Sequence, residues 1–156
     1  MFFNRGASGI DGVTSTALGI ALIEKPTILI TGDLSFLYDL NALLPAKKYS
    51  IPLVVILINN NGGGIFEMLP ISSNNKYKTY FKTPHNLNIA PIVKSFGLEH
   101  HLIKNEKELK INLINSLQKK SFTVLEVITD SSQSKKMRKK YWADVVKKIE
   151  RDFSLK

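Results

Sequence analysis

The 156 residues contain no cysteine. That excludes a disulfide framework, a thiol nucleophile and any cysteine-based metal site, and it is compatible with a reducing compartment. Long apolar runs are also missing. The longest, residues 53–58, is one buried strand in length and falls far short of the ~20 residues of a membrane helix. Residues 1–5 offer neither a basic leader nor an apolar core, so no signal peptide is expected. Acidic residues are in the minority, 13 against 22 Lys and Arg, for a formal net charge of +9. An excess of that size raises the question of nucleic acid, but +6 of it falls in residues 131–156. That is the pattern of a solvated basic terminal helix, and it argues against a nucleic-acid surface.

What is present reads as one globular domain with a real core: 44% apolar residues in a chain of this length. Helical spacing covers residues 10–23, with Ser8 or Asp11 placed to cap the start. Residues 27–31 form a short apolar run, expected as a buried strand. A helix is expected over residues 35–46, ended by Pro45. Residues 53–59 are apolar at successive positions, the mark of a central parallel strand. A helical turn through Leu69 follows Gly62-Gly63-Gly64, and residues 71–88, polar and without period, are expected as a mobile loop. Helix 89–96, strand 100–103, helix 106–119 and strand 122–129 complete the alternation, with Leu109, Leu113, Ile114 and Leu117 sharing a helix face. The fold class is therefore α/β, an open parallel sheet with helices on both faces. Residues 1–130 form the domain and residues 131–156 a basic terminal helix or tail.

Gly32-Asp33 closes the first apolar run and Asn60 closes the second, 27 positions on. That interval accommodates a turn, a helix and a return strand, the parallel βαβ unit. Its strands end side by side at the edge where open α/β sheets bind ligands. A carboxylate, an amide oxygen and the glycine-rich Asn59-Asn60-Asn61-Gly62-Gly63-Gly64 turn are thus gathered at one point. Hard oxygen ligands of this kind suit Mg²⁺, which leaves its other positions to water and phosphate. Asp33 can equally cap the helix that follows, and the asparagines can equally be turn residues. Leu34 and Ser35 open a helix, so their N–H groups can face an anion. His85 reads as a solvated loop histidine, and His100 and His101 point to opposite faces of a strand. Asp11 and Asp39 read as cap and helix-surface groups.

The Gly-Asp…Asn-Asn arrangement resembles the diphosphate-binding motif of thiamine diphosphate enzymes. Three blocks narrow the resemblance: Asn4-Arg5-Gly6-Ala7-Ser8-Gly9-Ile10-Asp11-Gly12, Gly32-Asp33-Leu34-Ser35 with Tyr38-Asp39-Leu40-Asn41, and Asn59-Asn60-Asn61-Gly62-Gly63-Gly64-Ile65-Phe66. Together they look like the 2-succinyl-5-enolpyruvyl-6-hydroxy-3-cyclohexene-1-carboxylate synthase branch of menaquinone and phylloquinone biosynthesis. The likeness runs from residue 4 to about residue 130. It implies Mg²⁺ (or Mn²⁺) held by Asp33, Asn60 and the Gly62 carbonyl, with Gly32, Leu34 and Ser35 around the diphosphate. Ile10 matches the apolar residue that bends thiamine diphosphate into its V shape; a core helix position is the alternative for it. Arg5 matches the residue that binds a substrate carboxylate, where a planar guanidinium can act bidentately; a surface arginine is its alternative. Ile65, Phe66 and Leu69 match apolar positions along the substrate cavity, and on periodicity alone they are one face of a short core helix.

The same resemblance implies that 2-oxoglutarate loses CO₂ and its succinyl unit is added to isochorismate. It implies a homodimer or tetramer, in the cytoplasm or the plastid stroma. The glutamate that activates the cofactor belongs to an upstream domain in that branch, so no catalytic residue is assigned here. Two upstream domains and a second subunit are expected partners, and the sheet is expected to lack its first strand. Two other readings stand beside this one. The chain is another thiamine enzyme, of the acetolactate synthase or 2-oxo acid decarboxylase type, or it is a non-catalytic remnant or basic binding module.

Overall fold

The computed structural model describes residues 1–3 and 9–153. Four strands, β1 (Ile28–Gly32), β2 (Val54–Asn59), β3 (Glu99–Ile103) and β4 (Thr123–Ile128), form one sheet in the order β1-β2-β4-β3. Every pairing is parallel, with Gly32 beside Ile58 and Asn59 beside Ile128 at the carboxyl ends. One face is covered by α1 (Val13–Ile23), α2 (Asp33–Leu37), α3 (Leu43–Lys48) and α4 (Ile89–Ser95). Ala17, Leu18, Phe36, Leu43, Ile89 and Val93 from these helices pack on Val55, Leu57 and Val124. The other face carries α5 (Glu106–Lys119), whose Leu109, Leu113 and Leu117 meet Val54, Ile103 and Leu125. Ile114, expected with them, stays exposed. A last helix, α6 (Ser131–Phe153), follows β4.

Several local expectations are corrected. The first strand is a half-exposed edge rather than a buried strand: Ile28 and Ile30 face solvent because α5 does not reach across to β1. Residues 35–46 are not one helix. The chain breaks at Asp39, and Pro45 sits in the first turn of α3, where its missing N–H is not needed. The break has a cause. Asp39 turns its carboxylate to α1, accepting from Ser15 N at 2.6 Å and Ser15 Oγ at 2.8 Å. It is buried, and it takes the capping role expected of Asp11 or Ser8; Gly12 stands at the N-cap position without a side-chain bond. Ser8 itself lies outside the described residues.

Residues 71–88 are also more structured than a mobile loop. They contain a 3₁₀ turn (Pro70–Ser73) and a π-helical turn (Lys78–Lys82). Tyr77 is buried, stacked on Phe81, which meets Phe66 edge-on at 6.1 Å between centroids. Sequence periodicity misses such a segment because its anchors are three aromatic rings at irregular intervals, with no repeating face. The segment is tied down over the carboxyl ends of the strands, next to the predicted site.

Candidate cofactor site

β1 and β2 are adjacent and parallel, so Gly32-Asp33 and Asn59-Asn60 leave the sheet side by side. Asp33 is the first residue of α2 and is buried. Its Oδ1 accepts from Leu34 N at 2.7 Å. Its Oδ2 accepts from Asn60 N at 3.2 Å and Gly62 N at 2.9 Å, so one carboxylate pins the turn that follows β2. A third group arrives from the distant loop: His85 Nε2 lies 3.2 Å from Oδ2. Leu87 N donates to His85 Nδ1, so the imidazole hydrogen sits on Nε2 and points at Asp33. The expected solvated histidine is therefore a buried partner of the central carboxylate. Its neighbour Asn86 exchanges hydrogen bonds with Asn61 in both directions, each 2.8 Å.

Asn60 carries the most telling detail. Its Oδ1 is buried and has no hydrogen-bond partner. A buried amide oxygen left unpaired costs about 1–3 kcal/mol, a cost that a bound ligand would remove. Asp33 Oδ1 holds one donor only and keeps lone-pair capacity beside it. Among the described residues no three His, Asp or Glu side chains gather as a metal cluster. A cation here would need amide and carbonyl oxygens as well as the single carboxylate, and this is the donor set of a small hard ion. The residues present fit Mg²⁺ with a phosphate ligand. A cavity of about 90 Å³ lies beside Asn60 and Gly64, between Met68 and the Ser131, Lys135 and Arg138 side chains of α6. A larger cavity, about 680 Å³, is at the opposite, amino end of β1 and β2.

Residues 2–127 match the family described as thiamine pyrophosphate enzyme, C-terminal TPP binding domain. The chain belongs to the thiamine pyrophosphate enzymes. It is 49% identical over 130 residues to the 2-succinyl-5-enolpyruvyl-6-hydroxy-3-cyclohexene-1-carboxylate synthase of Crocosphaera subtropica, covering 83% of this chain and 22% of the relative. The synthase of the same name from Geobacillus kaustophilus is 41% identical over 147 residues, 94% of this chain and 26% of the relative. The chain thus spans about a quarter of the length of these curated relatives. In fold it is similar to the thiamine diphosphate-dependent 4-hydroxybenzoylformate decarboxylase of Rhodococcus jostii, with a TM-score of 0.64 at 23% identity over 73% of this chain and 22% of that one.

Within this thiamine pyrophosphate-binding domain the other site residues are placed unevenly. Ser35 Oγ donates to Ile10 O at 2.9 Å, tying the segment before α1 to the start of α2. Ile10 is partly exposed, as are Ile65, Phe66 and Leu69, which belong to no core face. Arg5 lies outside the described residues. Glu67 is buried and paired with Lys82 Nζ at 2.8 Å, which also reaches Ser131 Oγ at the start of α6. Sequence reasoning missed four participants: His85, Asn59, His100 and Glu126. Only Glu126 left a visible signal, a lone carboxylate inside the apolar run Val124-Leu125-Glu126-Val127.

The Glu67–Lys82 pair is a hinge point for stability. Burial pushes the Glu67 carboxyl up, but hydrogen bonds from Lys82 and Ser131 and the Lys82 charge outweigh it, leaving the group below its ordinary value. A depressed carboxyl contributes stability above its unfolded value, about 4.3, and that stability is lost as pH falls through the folded value. Lys82→Met should strand the buried carboxylate and cost about 3 kcal/mol at neutral pH. The double variant Lys82→Met/Glu67→Met should recover most of it, since no charge is then left unpaired. Urea unfolding of the two variants is the measurement; equal losses in both would remove the ion pair as the cause.

Proposed function

We propose that this chain is the cofactor-binding part of a synthase that joins the succinyl unit of 2-oxoglutarate to isochorismate with loss of CO₂. The observations carrying the cofactor assignment are the unpartnered, buried Asn60 Oδ1 and the Asp33 carboxylate that holds the Asn60 backbone N–H. The reaction itself is supported by relatives of that activity that are 36–49% identical to most of this chain.

Asp33, Asn60 and the Gly62 carbonyl would hold Mg²⁺ or Mn²⁺. The Ser35 N–H at the start of α2 would favour the diphosphate charge by its position at a helix N-terminus, while the Leu34 N–H is engaged by Asp33 Oδ1. Bound thiamine diphosphate would supply the electron sink for decarboxylation and carbon–carbon bond formation. The chain's own residues bind and orient. Ile10, held to α2 through the Ser35 hydroxyl, would support the bound cofactor. Ile65, Phe66 and Leu69 offer exposed apolar surface for a ring substrate. Arg5 would pair with a substrate carboxylate in a bidentate fork.

No carboxylate in the chain is assigned to the pyrimidine side of the cofactor. Glu67 is engaged by Lys82, and Glu126 by Asn59 and His100. The 156 residues with Mg²⁺ and thiamine diphosphate should therefore release no CO₂ from 2-oxoglutarate. Adding the remaining domains of a synthase relative should restore release. Turnover by the chain alone at ~1 s⁻¹ or more, an ordinary enzymatic rate, would refute this division of labour.

A further inference from the structure

Glu126 sits in the middle of β4, opposite Leu57 of β2 and Leu102 of β3. It is buried on the sheet face that also carries Val124 and Leu57. A carboxylate in such surroundings costs free energy, and an apolar side chain of similar size is often neutral or stabilising in its place. Packing alone does not account for it.

Its bonds run toward the cofactor site. Oε1 accepts from Asn59 Nδ2 at 2.6 Å, and Oε2 is 2.7 Å from His100 Nε2. The imidazole and carboxylate side chains are 4% and 6% exposed, so water does not compete for either bond. Asn59 in turn accepts from Asn61 N through Oδ1 at 3.0 Å. An ionised carboxylate only accepts hydrogen bonds. It therefore dictates which end of the Asn59 amide faces it: the NH₂ must turn inward, and the carbonyl oxygen must turn to Asn61 N. A flipped amide would set oxygen against carboxylate and nitrogen against N–H. His100 holds the other carboxylate oxygen in place, so Glu126 cannot rotate to release Asn59.

We propose that Glu126, braced by His100, is a positioning residue that sets the Asn59 amide and thereby preforms the Asn59–Gly62 turn for the metal-bound diphosphate. The turn is held from two sides. Asp33 fixes the amides of Asn60 and Gly62, and Asn59 fixes the intervening amide of Asn61. Removing either support frees the segment that carries Asn60 Oδ1 and the Gly62 carbonyl. The role rests on the cofactor reading for its purpose, though the wiring of the turn does not.

Amide hydrogen exchange on the 156-residue chain tests the wiring without any ligand. Glu126→Leu should raise exchange at Asn61 and Gly62 at least ~10-fold while amides of Val55 and Val124 stay protected. Glu126→Met, whose thioether is only a weak acceptor but which is closer in length, is the second variant if leucine does not fold. Glu126→Gln, whose carbonyl still accepts from Asn59, should restore most of the protection. Calorimetric titration of Mg²⁺ and thiamine diphosphate into the same proteins gives the second readout. Affinity should fall ~10–100-fold in Glu126→Leu, the usual cost of losing a group that orients metal ligands, and recover in Glu126→Gln. Unchanged exchange at Asn61 and Gly62 would overturn the proposal, as would a uniform rise along β2 and β4, which marks a merely structural carboxylate. Changed exchange with no cofactor binding even in the wild-type chain would leave the positioning role standing and count against the cofactor reading instead.

Discussion

Asp33→Ala is expected to abolish binding of Mg²⁺ and thiamine diphosphate. The carboxylate does two jobs. It is the only anionic group among the proposed metal ligands, and it anchors the opposite turn through the amides of Asn60 and Gly62. Alanine removes the charge and leaves both N–H groups without their partner, at about 1–3 kcal/mol for each that stays buried. The turn that carries Asn60 should then relax, since its Asn60 and Gly62 amides lose their anchor. Both effects push affinity the same way, beyond the ~100-fold that loss of an orienting group alone reaches. Asp33→Asn should do little better, because its NH₂ end would oppose the same N–H groups or the cation. Isothermal titration, on samples shown by circular dichroism to be folded, reads the result. Unchanged cofactor affinity in Asp33→Ala would sink the site assignment.

Gly62→Ala is expected to disrupt the same turn sterically, with the charge left in place. Gly62 has φ of +128°, where a side chain is strained whatever the space. The space is absent as well: an added Cβ would collide with Lys82 O and stand 3.3 Å from Thr83 O. These are backbone atoms, so the whole 82–85 segment would have to retreat. Gly63 N donates to Lys82 O at 2.7 Å, and His85, three residues on, reaches Asp33. Backbone strain of this kind costs about 1–3 kcal/mol, with the lost contacts added to it. Gly19→Ala is the matched control. Gly19 lies exposed in α1 with nothing within 4 Å of its added Cβ, so alanine there should stabilise by about 0.5–1 kcal/mol. Urea denaturation should therefore give shifts of opposite sign for one chemical change. A Gly62→Ala midpoint equal to wild type would show that the close approach of Lys82 does not constrain the turn.

The parallel sheet and the meeting of Asp33 with Asn60 were legible because each rests on short-range pattern. Apolar residues at successive positions in β2 mark a strand covered on both faces, and the interval to β1 admits one crossover helix. The strand ends then fall together by geometry. Where the residue pattern was irregular, it misled. Residues 71–88 lack a period, yet Tyr77, Phe81 and Phe66 anchor them, and His85 is buried against Asp33 rather than solvated. Ile28 and Ile30 look like core and are exposed, since no sequence pattern reveals which strand is at the edge.

From the sequence alone came the fold class, the two strand ends and the oxygen donors placed there. These depend on hydrophobic alternation, chain reach and the chemistry of single residues, all local in the chain. The tertiary structure decided which distant groups meet: Asp39 capping α1 across 24 positions, His85 on Asp33 across 52, and Asn59 on Glu126 across 67. Each is one hydrogen-bonded contact between distant segments, set by how the helices and the loop fold over the sheet. A residue's type says what it can donate or accept, but only packing brings its partner within 3 Å or so and excludes the water that would otherwise take its place.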